Sequence, residues 1–228
     1  MDKMLNDIKA VIFDLDGTLV NSEELNYLVY RDTFREEFGI DYTPEDHGHT
    51  IGFNDDDFIN IAQSRLNAKI DKKHFYRDIH GKTPYENCVL KKGARELLSY
   101  LHCENIKLAL ATNTSREKLD RKTKHLGILA MFDLIITSQD VQSKKPNPEI
   151  YLLTVTKLQL KPADCLVVED SESGITAAIA AGCHCFYVPH KYTLNPKTIA
   201  LKHSVRQFDN LLDIKDNLSD IAIISHKC

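Results

Sequence analysis

The sequence predicts an α/β fold in three layers, a parallel sheet covered on both faces by helices, with a small α-helical domain inserted near its start. Three observations predict it. Short, almost wholly apolar runs alternate with longer segments of helical period, as strands buried on both faces do when crossover helices join them. The 228 residues exceed the ~150 of an average domain, so a core with a smaller insert is expected. The stretch from Phe13 to Leu108 is far longer than one crossover helix requires, which places the insert there.

The five strand candidates are 10–13, 108–111, 134–136, 165–168 and 185–188. Between them helical period marks 93–103, 114–126, 148–158 and 171–181, the last stopped by Gly182 as a C-terminal cap. Inside the long gap, helices are expected at 23–38, closed by Gly39, at 55–67 and at 72–80, with no convincing strand. The division is therefore 1–20 and 89–228 for the core and 21–88 for the helical insert. Hinges are expected near 20–22 and 88–93, letting the insert close over the core and exclude water.

Composition removes several function classes. Lys and Arg number 29 against 33 Asp and Glu, a net charge of −4, which supplies no basic footprint for nucleic acid. Hydrophobic residues at 43% and charged ones at 27% exclude a chain disordered throughout. No apolar run approaches the 18 or so residues of a membrane span. Acids in Met1-Asp2-Lys3-Met4-Leu5-Asn6-Asp7 interrupt the place where a signal peptide needs its apolar region. A cytoplasmic, monomeric protein with six reduced cysteines is expected.

The chemistry gathers at strand ends. The first strand breaks into Asp14-Leu15-Asp16-Gly17-Thr18. Residues i and i+2 of an extended chain share a face, so Asp14 and Asp16 can approach one space at the carboxyl end of the sheet, where open α/β sheets bind ligands. Two such carboxylates repel unless a hard cation such as Mg²⁺ lies between them. The second strand ends Thr112-Asn113-Thr114-Ser115-Arg116-Glu117. Thr114 and Glu117 read as a capping box, leaving Thr112 beside a helix start suited to an anion. Asn147 as N-cap and Pro148 as first helical residue open the next helix, and Pro146 keeps Lys145 out of helical geometry, in a fixed loop. The fourth strand ends Glu169-Asp170-Ser171. These two acids point to opposite faces if extended, so one of them is expected to reach a metal directly. Taken singly, each feature also has a structural explanation as a turn, a cap or a solvated lysine pair; their convergence on one sheet edge does not.

Asp-x-Asp-Gly-Thr at Asp14–Thr18, a strand-terminal Thr112, Lys145 before Pro146, and Glu169-Asp170, in this order, resemble the four motifs of the haloacid dehalogenase superfamily across residues 8–189. The chain looks most like the subfamily with a helical cap inserted after the first motif. That resemblance implies a Rossmann-like core and the following roles. Asp14 would be the nucleophile and Asp16 the general acid and base. Mg²⁺ would be held by the Asp14 carboxylate, the Asp16 backbone carbonyl and the Asp170 carboxylate, with Glu169 behind them. Thr112, the Asn113 backbone N–H and Lys145 would hold the phosphoryl oxygens. The implied activity is hydrolysis of a small phosphate ester, a sugar phosphate or a nucleoside monophosphate, through an aspartyl-phosphate.

Rival readings separate by residue. Dehalogenases of the superfamily lack the second Asp, which is present here as Asp16. Phosphonate hydrolases similar to this family use a cap-helix Lys, and residues 22–38 contain none. β-Phosphoglucomutases share the core motifs but carry a His where this chain has Asn26, and an Arg in a cap loop that here reads Ile51-Gly52-Phe53-Asn54-Asp55. A non-catalytic metabolite-binding protein is the further alternative, although all expected site positions are occupied. Zinc at His47-Gly48-His49 or Cys183-His184-Cys185 is disfavoured: the first lacks a second half, and the second fits a strand with both thiols on one buried face.

Overall fold

The computed structural model describes residues 8–51, 55–67, 69–73, 75, 79 and 82–220. Its core is a six-stranded parallel sheet in the order β3-β2-β1-β4-β5-β6, formed by β1 (Ala10–Phe13), β2 (Lys107–Ala111), β3 (Leu134–Ile136), β4 (Cys165–Glu169), β5 (His184–Tyr187) and β6 (Arg206–Gln207). Five strands coincide with the apolar runs within a residue at each end. The sixth was not expected: Arg206-Gln207 is a two-residue edge strand pairing with Phe186 and Tyr187, too short and polar to give a periodic signal.

Alternation along each strand builds the three layers. Val11 and Phe13 face a cluster with Leu97, Leu98 and Leu101, whereas Ala10 and Ile12 face one with Ile150, Tyr151 and Ile175. The first cluster is covered by α4 (Ala94–Cys103) and α9 (Leu211–Asp220), the second by α6 (Glu149–Leu158) and α7 (Glu172–Ala180). Each fully buried Leu or Ile contributes about 1.5–3 kcal/mol of burial free energy, so the two faces hold the sheet. Two further core helices are α5 (Arg116–Thr123) and α8 (Pro196–His203).

Between β1 and β2 lie α1 (Ser22–Phe38), α2 (Pro44–Thr50) and α3 (Asp55–Leu66). Gly39 ends α1 in a left-handed conformation at φ 65°. The short α2 is an addition to the expected helices. Thr43 and Asp46 form a reciprocal capping box and Pro44 opens the helix, a signal present in the sequence but followed by only two turns. The helix expected at 72–80 falls largely outside the described residues. An apolar cluster of its own, around Phe34, Tyr42, Phe58 and Phe75, packs this segment. The two chain passages joining it to the core lie side by side: Val20 and Leu90 form an antiparallel bridge, and the Val89 N–H donates to the Asn21 side chain at 2.8 Å. Tyr192, beyond β5, packs at a tilt against Tyr27 and edge-to-face against His47 of the insert, with ring centroids 4.8 and 5.0 Å apart.

Among the described residues Cys88, Cys103, Cys165, Cys183 and Cys185 are free; Cys228 lies outside them. Among the described residues no helix is long and apolar enough to cross a membrane.

Candidate active site

Chain direction decides where the site lies. From β1 the sheet grows one way through β2 and β3, then returns to place β4 on the other side of β1. Connections diverge at this switch point and leave a crevice at the carboxyl ends of β1, β2 and β4. Asp14 follows β1, Thr112 follows β2 and Asp170 follows β4, so the topology gathers the acids and the threonine at one edge.

Asp14 continues the ladder, its N–H donating to the Val168 carbonyl at 3.1 Å. Its carboxylate accepts from Lys145 Nζ at 2.6 Å. The same ammonium donates to Glu169 Oε1 at 2.7 Å and to the Ala111 carbonyl at 2.9 Å, which uses all three of its protons. Burial works against the Lys145 charge, yet the Asp14 and Glu169 carboxylates outweigh it and hold its pKa above the ordinary lysine value. The loop is fixed as expected, and by a residue assigned another role: Asn113 Oδ1 accepts from the Lys145 N–H at 3.1 Å and its amide donates to the Lys145 carbonyl at 3.4 Å.

Asp14, Glu169 and Asp170 each bring a carboxylate oxygen within 4.8 Å of the others. Glu169 is saturated, accepting from Lys145 and Tyr151 on one oxygen and from the Asp170 N–H, the Ser171 N–H and the Ser171 hydroxyl on the other. Asp170 accepts from Thr18 at 3.3 Å. His190 Nε2 lies 3.7 Å from its other oxygen. Because His190 Nδ1 accepts from the Tyr192 N–H at 3.1 Å, the ring proton sits on Nε2 and faces Asp170. Burial, then the neighbouring Glu169 and Asp14 charges, push the Asp170 pKa well above the carboxylate range. Three acids so placed, with hard oxygen donors and one shared ammonium, fit a divalent cation.

Two glycines make this approach possible. A Cβ on Gly17, at φ 77°, would run into the Asp170 carboxylate, and one on Gly174 into that of Glu169. The Gly of Asp-x-Asp-Gly-Thr is thus both a left-handed turn residue and a clearance for the fourth strand's acid.

Asp16 departs from the spacing argument. Its carboxylate is not in the acidic cluster but turns to Ser22, to Thr114 Oγ1 at 2.5 Å and to Lys122 Nζ at 2.5 Å. Burial alone would raise its pKa, but the Lys122 charge and these hydrogen bonds outweigh it and hold Asp16 below the ordinary carboxylate value. Thr114 is consequently not the helix cap. Ser115 takes that place by accepting from the Lys118 N–H at 3.5 Å, because the Thr114 hydroxyl is spent on Asp16. Thr112 is buried, its oxygen accepting from the Thr114 N–H at 3.1 Å, and that bond leaves its own proton available to donate. Likewise α6 starts one residue later than expected, with the Asn147 side chain accepting from the Glu149 N–H at 3.0 Å.

Sequence reading missed Lys122, Ser22, His190 and Glu23. Lys122 sits among Arg, Lys and Asp residues that look like a solvated helix face. His190 follows the fifth strand's end, where the polar residues carry no motif of their own. Glu23, at the start of α1, is pushed up to about 7 by burial and by the Asp16 charge.

These shifts predict a pH-dependent stability. Burial raises the Asp14 pKa to about 8 from 3.8, against the Lys145 charge, so the unfolded chain loses this proton first and stability falls as pH rises between those values. Burial lowers His47 to about 4 and His190 to about 3; their contribution is complete above the ordinary histidine value of 6.5 and is lost as the pH falls below it. From pH ~6.5 to ~8 the carboxylate trend therefore stands uncompensated by the histidines. The urea midpoint of chelator-treated protein should fall across that interval, and a divalent cation should abolish the fall. A midpoint that rises with pH in chelator contradicts the assigned burial of Asp14.

The family model for haloacid dehalogenase-like hydrolases matches residues 11–188. This chain belongs to the haloacid dehalogenase-like hydrolase family. Among curated relatives, the phosphorylated carbohydrates phosphatase of Thermotoga maritima is 34% identical over 183 residues, 79% of this chain and 84% of that protein. A Drosophila melanogaster protein assigned provisionally as a pseudouridine-5'-phosphatase is 28% identical over 94% of both chains. A solved Thermotoga maritima structure, provisionally a beta-phosphoglucomutase, superposes with a TM-score of 0.75 at 31% identity, covering 93% of this chain and 99% of its own. Membership in this family and the parallel α/β sheet agree with the sequence motifs.

Proposed function

We propose that this member of the haloacid dehalogenase-like hydrolases is a Mg²⁺-dependent phosphatase acting on a small phosphorylated metabolite, a sugar phosphate or a nucleoside monophosphate, through an aspartyl-phosphate. Phosphoric monoester hydrolysis is the activity its family membership and phosphatase relatives carry. The observation that supports the mechanism best is a buried Asp14 whose carboxylate is gripped by Lys145 at 2.6 Å inside a three-acid cluster at the switch point.

In the first half-reaction an Asp14 oxygen bonds to phosphorus while the bond from phosphorus to the leaving oxygen breaks, and that oxygen takes its proton by way of Asp16, which is held ionised in the substrate-free site and must first be protonated. In the second, water bonds to phosphorus, its proton passes to Asp16, and the bond to Asp14 breaks. One difficult displacement becomes two easier ones. Thr112 and the Asn113 N–H orient the phosphoryl oxygens, and the Lys145 ammonium, held on Asp14 and Glu169, places positive charge beside them, the main task in phosphoryl transfer. The Asp14 and Asp170 carboxylates, with the Asp16 carbonyl, would hold Mg²⁺, and Glu169, saturated by its five donors, would support them. When bound, the ion supplies positive charge for the transferring phosphoryl group. The helical segment 21–88 acts as the cap, hinged where Val20 and Asn21 pair with Leu90 and Val89.

Hydrolysis is favoured over mutase chemistry by Asn26. Its amide donates to Glu23 at 3.4 Å and its carbonyl accepts from Tyr85 at 3.4 Å, and an amide cannot exchange protons with Asp16 as an imidazole can. The cap loop argument from residues 52–54 and the Asp55 side chain lies outside the described residues. Release of phosphate from a panel of phosphorylated sugars and nucleosides should require Mg²⁺ and stop in excess chelator. Undiminished turnover in metal-free buffer, or efficient bisphosphate-primed isomerisation of β-glucose 1-phosphate with little phosphate released, contradicts the proposal.

A further inference from the structure

Lys122 belongs to none of the four motifs, yet its side chain is only 4% exposed. From α5 it reaches 2.5 Å to Asp16 Oδ1 and 3.3 Å to Thr114 Oγ1. The Tyr85 ring covers it at 4.7 Å, and the Tyr85 hydroxyl donates to Asn26 on α1. A buried lysine paired with one carboxylate is a costly arrangement.

The pairing is part of a cradle. Ser22, at the start of α1, donates to the same Asp16 oxygen, and Thr114 donates to the other. Three donors from α1, the loop before α5 and α5 itself thus fix both oxygens as acceptors. That is how an ionised carboxylate is held, and an ionised carboxylate is what must face the attacking water in the second half-reaction.

We infer that Lys122 is a positioning residue that holds the Asp16 carboxylate in place to take the proton from water as it attacks phosphorylated Asp14, so that it governs the hydrolytic half-reaction. The inference rests on the two-step reading above. The water oxygen bonds to phosphorus, the bond from phosphorus to Asp14 breaks, one water proton goes to Asp16, and phosphate leaves with Asp14 again a carboxylate. Lys122 keeps its protons throughout and acts only through Asp16.

The probe is 2,4-dinitrophenyl phosphate, whose leaving group departs without a proton, so the first half-reaction does not need Asp16. Rapid mixing follows dinitrophenolate with the Mg²⁺-loaded full chain, for Lys122→Met, Asp16→Asn and the double variant. Lys122→Met should leave kcat/KM within a few-fold, lower kcat roughly 10²-fold, the scale of a mispositioned general base, and show a burst near one dinitrophenolate per active site. Asp16→Asn should burst likewise, and the double variant should be no slower than Asp16→Asn. A parallel fall in kcat and kcat/KM without a burst, or losses that multiply in the double variant, overturns the role of Lys122 while a bursting Asp16→Asn upholds the two-step reading. No burst from Asp16→Asn overturns both. Lys122→Gln, which keeps a donor without the charge, takes the place of Lys122→Met if the latter fails to fold, with the same burst expected.

Discussion

Asp14→Asn should lower the turnover of any phosphate ester by roughly 10⁴–10⁶-fold, the scale on which loss of a nucleophile is felt, while the fold is retained. The substitution preserves shape and keeps an oxygen for the Lys145 ammonium, which donates to Asp14 at 2.6 Å. It removes a carboxylate that burial holds at a raised pKa, so the fold gains from the change what the reaction loses. Activity assays paired with thermal melts check it: near-normal turnover would remove Asp14 from the chemistry, and a collapsed melt would make the lost rate uninterpretable as a catalytic effect. The expected signature is a dead enzyme that melts no lower than the parent in chelator.

Lys145→Met should do the opposite to the fold. Among the described residues Lys145 is the cation bridging Asp14 and Glu169, and deleting one partner of a buried pair typically costs about 3–5 kcal/mol because the remaining charges stay buried and unpaired. For a chain of this size that corresponds to a melting temperature roughly 10 °C lower. Activity should fall about 10²–10³-fold as well, since the positive charge beside the phosphoryl oxygens is gone. The pair of variants thus separates two meanings of one contact: Asn at 14 spares the structure and abolishes the reaction, whereas Met at 145 damages both. An unshifted melt for Lys145→Met in chelator would show that the ammonium does not carry the charge balance described here.

The sheet was legible because its strands are apolar on both faces: 10–13, 134–136 and 165–168 lie at or within a residue of β1, β3 and β4. The helices lost accuracy at their ends, where side chains had a stronger use than capping. Thr114 matched a capping box with Glu117, but its hydroxyl found a buried carboxylate 98 positions away in sequence, a partner that no local pattern encodes. The two-turn α2 and the edge strand β6 failed for lack of length.

The site was legible in kind but not in arrangement. Asp14, Thr112, Lys145, Glu169 and Asp170 do meet at the strand ends, because strand direction and the switch point bring them there. The expectation that Asp14 and Asp16 share one space follows from strand geometry, and it does not hold because β1 ends at Phe13, so Asp14 to Asp16 lie past the extended strand in which residues i and i+2 share a face. Lys122 was invisible for a related reason. Its burial depends on α5 packing beside Tyr85 and Asp16, a tertiary fact, while its local sequence is that of a solvated helix. Asn113 shows the converse case, a residue singled out for its backbone N–H whose side chain also fixes the Lys145 loop.

The central claim, that Asp14 receives the phosphoryl group, is tested most directly by rapid acid quench of the Asp16→Asn enzyme during turnover of an aryl phosphate, followed by borohydride reduction and mass mapping of peptides. The reduced acyl-phosphate should appear at Asp14. Its appearance at any other residue, or a complete absence of labelled peptide while phosphate is still released, would contradict the account.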